Sequence, residues 1–316
     1  MLVVDLGDPP TGPQPPTGVV VAVGSAADVV SSSAQPWIDH ATFTLSEDDV
    51  TDRRVVAVDS TDSTLSELAT RFEMWPQAAT VCDDVLRAAD PAAPPLTGVI
   101  TESLAYSTLQ AGGEFAAWLQ QRGPASAPAL LDPVLADRSG NTLSIRFNRP
   151  SRHNAFSNDA RAALLDALDV ARHDPSVDEV VLSGNGPSFC SGGDLAEFGS
   201  FADPASAHVA RVRHSPALIL GELAARLGPR CRAQVHGQVL GSGLEMAAFC
   251  GWVVAHRDSV LGLPELSLGL LPGAGGTVSI TRRVGRWRTA YLVLSGRTID
   301  AATALDWGLV DAVEAT

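Results

Sequence analysis

Residues 239–277 constrain the fold of this chain more than any other stretch. Two acids, Glu245 and Glu265, stand there in otherwise apolar, glycine-rich sequence. Gly241-Ser242-Gly243 makes a turn, and Glu245 then opens a short helix rich in Ala, Met and Leu. The first N–H groups of such a helix lack intrahelical partners and favour negative charge. Glu265 follows the strand-like run Val260–Leu263 and Pro264. A carboxylate in apolar surroundings resists ionisation, and a pair of them can divide proton donation from acceptance. On these features alone, a helix-capping glutamate beside a loop glutamate is the alternative reading.

The flanking sequence alternates strand and helix. Leu143–Phe147 has strand periodicity, Asp159–Arg172 is an Ala/Leu-rich helix, and Val180–Leu182 is a short buried strand. The spacing predicts a helix over 205–227, a strand at Arg232–Val235, a helix at Leu244–Phe249, and strands at Trp252–Ala255 and Val260–Leu263. Helices at Thr277–Val284 and Arg288–Leu294 follow. The fold class is therefore layered α/β.

Upstream, Asp8–Gly18 is rich in Pro, Gly and Thr and reads as a loose tail. Val19–Val23, Ala41–Leu45 and Val55–Val58 read as strands. Three-and-four spacing of Leu65, Leu68, Phe72, Ala79, Cys82 and Leu86 is helical, with Pro76 in the first turn of a second helix. Asp90–Pro95 breaks the pattern, which resumes with Leu104, Leu109, Phe115 and Trp118 across a Gly112-Gly113 interruption. Gly123–Pro128 is a linker by composition.

Composition removes several function classes. The net charge of −14 argues against a nucleic-acid partner. There is no lysine, so any phosphate contact must come from Arg or backbone N–H groups. Cys82, Cys190, Cys231 and Cys250 are widely spaced and form no CxxC pair, so neither zinc nor a disulfide framework is expected. Without a basic, apolar leader or a spanning apolar run, a cytoplasmic protein is expected.

Five ordered motifs resemble the enoyl-CoA hydratase/isomerase (crotonase) superfamily. They are Asn148-Arg149-Pro150 with His153–Phe156, Gly184-Asn185-Gly186 with Phe189–Leu195, Gly241–Glu245, Leu263-Pro264-Glu265 with Leu271–Thr277, and Gly308–Asp311. The resemblance implies the ClpP/crotonase-type spiral of ββα units. It makes Glu245 and Glu265 the catalytic acids and the N–H groups of Ser191 and Ser242 an oxyanion hole. Asn154, Ala155, Gly192, Gly193, Asp194, Leu195, Gly241, Pro264 and Gly273 would line the substrate and CoA site, with Arg149 and Arg152 as phosphate partners. The implied activity is hydration of a 2-enoyl-CoA thioester; an enoyl-CoA isomerase, or a catalytically quiet binding subunit, are the alternatives. No cofactor or metal is expected beyond the coenzyme A of the substrate, and a homo-oligomer, trimer or hexamer, is.

The order of segments departs from the family pattern. Crotonase-type chains continue past the Gly-Leu-Val-Asp segment into helices that close the acyl pocket, whereas here that segment stands at 308–311 and a long region precedes the first motif. The expected organisation is a flexible tail at 1–18, an α/β extension at 19–130, and a catalytic core at 131–316. Within the extension, residues 51–123 resemble the family's C-terminal helical region, as if permuted; an unrelated small α/β domain is the alternative.

Overall fold

The computed structural model describes residues 1–14, 17–126, 131–200 and 203–314. It contains three sheets. The first is wholly parallel, in the order β1 (Leu2–Asp5), β2 (Val20–Val23), β3 (Phe43–Ser46), β4 (Val55–Ala57). Two short helices, α1 (Ala26–Val29) and α2 (Gln35–His40), join β2 to β3. Four helices then follow: α3 (Thr61–Met74), α4 (Pro76–Ala88), α5 (Pro95–Gln110) and α6 (Gly113–Arg122).

The second sheet has the order β13 (Ala312–Glu314), β10 (Trp252–His256), β8 (Cys231–Val235), β7 (Glu179–Gly184), β6 (Thr142–Phe147), β5 (Val134–Ser139). It is parallel except for the β5–β6 hairpin, whose two-residue loop carries Gly140 at φ 59°. The third sheet is small: β12 (Ile299–Asp300), β11 (Val260–Gly262) and β9 (Gln238–Leu240). Each of β8 and β10 is followed within a few residues by a strand of the small sheet and then by a helical turn, which is the repeated ββα unit of the crotonase fold. Gly237 makes the first corner at φ 56°; a Cβ there would lie 2.0 Å from the Pro187 carbonyl oxygen, so only glycine fits.

The remaining helices are α7 (Asn158–His173), α8 (Pro204–Arg213), α9 (Pro216–Leu227), α10 (Ser242–Ala247), α11 (Gly276–Ser295) and α12 (Ala301–Asp306). One hydrophobic core joins the two halves of the chain. It includes Phe43, Leu45, Leu86 and Phe115 together with Phe147, Leu182, Leu244 and Ile280. Phe43 meets Tyr291 edge-on at 5.6 Å, so the first sheet packs on α11. No helix among the described residues is long and apolar enough to cross a membrane.

Four expectations need correction. The tail does not start at residue 1, because Leu2–Asp5 pairs in register with β2. The helix expected over 205–227 is two helices, since Pro216 has no N–H to continue α8 and instead starts α9. The two helices expected after Thr277 form one run bent at Gly285, where φ is 82° and the Arg53 guanidinium occupies the space of a Cβ. Strands β5 and β9 were not anticipated; β9 is only three residues long and abuts the Gly241 turn. Part of the expected linker, residues 127 and 128, lies outside the described residues.

Candidate active site

The Gly241 turn places Glu245 in the first turns of α10, buried to 1% exposure. Its Oε2 accepts the N–H groups of Ala274 and Gly276, both at 2.7 Å. The Gly273–Gly276 loop can come this close because three of its four residues are glycine: a Cβ on Gly276 would sit 2.6 Å from Glu245 Cγ. Burial pushes the Glu245 carboxyl up to about 7, although the loop N–H groups pull the other way.

Glu265 opens a single 3-10 turn after Pro264 and is 9% exposed. Oε1 lies against the Gly241 backbone, where a Cβ would be 2.5 Å away. Oε2 is buried and has no hydrogen-bond partner. Burial and the nearby Glu245 charge hold this carboxyl well above the usual range. The two acids therefore sit in contrasting environments, one gripped by donors and one with a free oxygen.

Both line a cavity of about 160 Å³, shared with Gly193, Ser242, Gly273 and Ala274. The N–H groups of Gly193 and Ser242 donate to no protein acceptor among the described residues, Ser242 because it is the first residue of α10. Ser191 behaves differently. Its N–H donates to the His153 carbonyl at 2.9 Å and the residue is absent from the cavity wall, so the expectation for Ser191 is corrected: the uncommitted N–H on the wall is that of Gly193.

The other expected residues divide. Gly193, Asp194 and Gly273 line the cavity. Asn154 is buried and braces the backbone, accepting from Arg149 N at 2.6 Å and donating to the carbonyls of Asn185 and Ser188. Arg149 is also buried and pairs with Asp194 at 2.9 Å, while Arg152 reaches the other Asp194 oxygen at 3.1 Å. Arg149 is thus part of the framework, and a phosphate would have to displace a buried ion pair to reach it. Ala155 gives its carbonyl to Arg149, Gly192 gives its carbonyl to the Phe156 N–H, and Gly241 makes the turn beside Glu265. Leu195 and Pro264 face outward. Neither these five nor Asn154 is on the cavity wall. No group of three His, Cys, Asp or Glu side chains among the described residues could hold a metal ion.

Helix α5, from the first half of the chain, brings Glu102, Tyr106 and Gln110 to the site. Glu102 on α5 is 1% exposed; Oε1 accepts Gly275 N at 2.7 Å, and Oε2 accepts Thr277 N at 2.9 Å and Thr277 Oγ1 at 2.7 Å. The loop is therefore held from both sides, with alternate N–H groups pointing to Glu245 and to Glu102. Burial, then the Glu245 charge, pushes Glu102 up to about 8. One turn along α5, Tyr106 packs against Gly273, where a Cβ would lie 2.4 Å from the ring, and lines the cavity.

The profile of the enoyl-CoA hydratase/isomerase family matches residues 137–316, more than half of the chain. The chain belongs to that family. The 2,3-dehydroadipyl-CoA hydratase of Escherichia coli K12 is 35% identical over 183 residues, covering 58% of this chain and 69% of its own. An enoyl-CoA hydratase structure from Thermoplasma volcanium is 34% identical with a TM-score of 0.50, over 58% of this chain and 72% of that one. A Thermobifida fusca structure, solved with acetoacetyl-CoA, is 28% identical with a TM-score of 0.51, over 58% and 74%. The fold and family expected from the five motifs are shown, and the chain is an enzyme of the crotonase superfamily. Glu102 and Tyr106 lie outside the residues matched by the family profile.

Proposed function

We propose that this enzyme is a 2-enoyl-CoA hydratase. The reading rests on the unequal pair of acids on one cavity wall. Hydration requires one group to activate water for attack at the β-carbon and another to deliver a proton to the α-carbon. Glu245, whose Oε2 is held by two N–H donors that favour its charged form, takes the proton from water as the water oxygen bonds to the β-carbon. Electron density moves onto the thioester oxygen, to which the N–H groups of Gly193 and Ser242 donate hydrogen bonds as its charge develops. Glu265, whose carboxyl burial and the Glu245 charge hold well above the usual range, gives its proton to the α-carbon as the enolate collapses. A homologous hydratase and a neighbour solved with acetoacetyl-CoA support an acyl-CoA substrate.

The same reading assigns residues 51–123 the part of a permuted helical cap. Support comes from Glu102 and Tyr106 at the site, and from Trp118, which meets the cavity residue Phe198 at 5.9 Å.

Turnover of crotonyl-CoA, followed as loss of the enoyl thioester absorbance, tests the proposal. Hydration to the 3-hydroxyacyl thioester is expected. Migration of the double bond without water uptake would make the enzyme an isomerase, and no reaction with short or long enoyl thioesters would leave a binding subunit. Glu245→Gln and Glu265→Gln should each lower kcat by about 10²–10⁴-fold with a small effect on thioester binding, because acid–base groups act in the transition state.

A further inference from the structure

The cavity carries a second set of charges that hydration does not use. Arg161 on α7 and Arg211 on α8 line it together with the two glutamates. Neither forms an ion pair with a carboxylate among the described residues. Arg211 is held by neutral groups alone: Nε donates to Ser103 Oγ at 3.2 Å, Nη1 to Gln110 Oε1 at 2.9 Å, and Nη2 to Ser107 Oγ and the Ser103 carbonyl. Its guanidinium lies 4.4 Å from the Tyr106 ring centroid. Arg161 makes one such bond, from Nη2 to Asn158 Oδ1 at 2.6 Å.

The acids nearby are occupied elsewhere. Asp194 is taken by Arg149 and Arg152, Glu102 by the loop at 275–277, and Glu197 by the Asn158 N–H at 2.7 Å. Burial lowers the pKa of both arginines, so each charge is partly desolvated; the Arg161 charge lowers that of Arg211 further, while the Glu197 charge near Arg161 and the Glu102 charge near Arg211 act the other way without forming an ion pair. Half-buried cations without counter-ions are costly unless an anion completes them. Phe156, Phe198, Met246 and Pro216 add the apolar surface an acyl chain would lie on.

We propose that Arg161 and Arg211 form an anion subsite for a carboxylate at the far end of the acyl group. The preferred substrates are then CoA monothioesters of short unsaturated dicarboxylic acids. The inference rests on the acyl-CoA reading of the site. The phosphates of CoA offer the same anionic chemistry, but the full length of the pantetheine arm separates them from the thioester. Arg211, by contrast, is one aromatic ring from the loop that grips Glu245: it stacks on Tyr106, and Tyr106 packs on Gly273.

Calorimetric binding of saturated, unreactive thioesters tests this on the full chain. Wild type should bind glutaryl-CoA or adipyl-CoA about tenfold or more tighter than pentanoyl-CoA or hexanoyl-CoA, the effect of a charge-assisted hydrogen bond. The preference should persist with the same acyl groups on N-acetylcysteamine, which has no phosphate. Arg161→Gln and Arg211→Gln should each shrink the ratio toward one. Equal binding of charged and neutral esters by wild type would overturn the subsite, as would a preference that vanishes on N-acetylcysteamine or variants that weaken both classes alike. Hydration of crotonyl-CoA without any carboxylate preference would remove the subsite and leave the hydratase reading intact; the preference without any hydration would do the reverse.

Discussion

The proposed oxyanion hole uses the backbone N–H of Ser242 and not its side chain. Ser242→Gly should therefore keep activity, whereas Ser242→Pro should abolish it by deleting the donor. An inactive glycine variant in a steady-state assay would instead implicate the hydroxyl. The acids give a pH prediction. The base must be ionised, so kcat should rise as pH passes about 7, the value to which burial lifts Glu245. It should fall again at higher pH, as Glu265 loses the proton it delivers. A pH–rate profile whose rising limb stayed near 4.5, the ordinary value for glutamate, would remove Glu245 as the base. Glu245 and Glu265 were legible in the sequence because acids in apolar runs stand out. The expectation for Ser191 failed because only the structure reveals that its N–H is already spent on His153.

At the scale of elements, α5 decides whether the loop at 273–277 is in place. Glu102→Gln keeps the shape of the side chain but turns one acceptor into a donor facing donors. It should lower kcat much more than it raises KM, with the circular dichroism of the fold retained; an equal change in both would reduce Glu102 to general support. The same carboxyl makes stability depend on pH. Its folded pKa is raised, so its contribution is complete below 4.5 and is lost as pH rises through about 8. Wild type should lose more of its Tm across that window than Glu102→Gln does. Asp52 and Asp174 have lowered pKa values, so their contributions vanish only in stronger acid and do not mask the trend. Nothing in the sequence marked Glu102, because a lone acid on a helix ordinarily faces water. Helices α3 and α4 were legible from apolar spacing and Pro76. The break between α8 and α9 was missed because apolar periodicity runs on through Pro216.

For the whole molecule, the two halves of the chain share one core, and the permuted-cap reading makes the first half indispensable. A chain beginning at Pro133 would expose the faces that Phe43, Leu86, Tyr106 and Phe115 now cover. It should be insoluble, or soluble and inactive, by light scattering and the crotonyl-CoA assay. A soluble, fully active product would make residues 1–132 an appendage. The alternation of strand and helix made the α/β class legible, and the resemblance of the five motifs to the crotonase superfamily made the spiral so. What no periodicity could give was the docking of the first sheet and α3–α5 onto α11, which is settled by complementary surfaces far apart in sequence. That separation carries a consequence for how the protein is made. Glu102 meets donors 173 and 175 residues later in the chain. At ribosomal speeds of about 5–20 residues per second, the acid leaves the ribosome roughly 9–35 s before its partners do. During that interval α5 has no loop to hold, and the loop, once made, needs no wait for its clamp. The nascent enzyme thus stays inert until the loop at 273–277 has been released to meet Glu102.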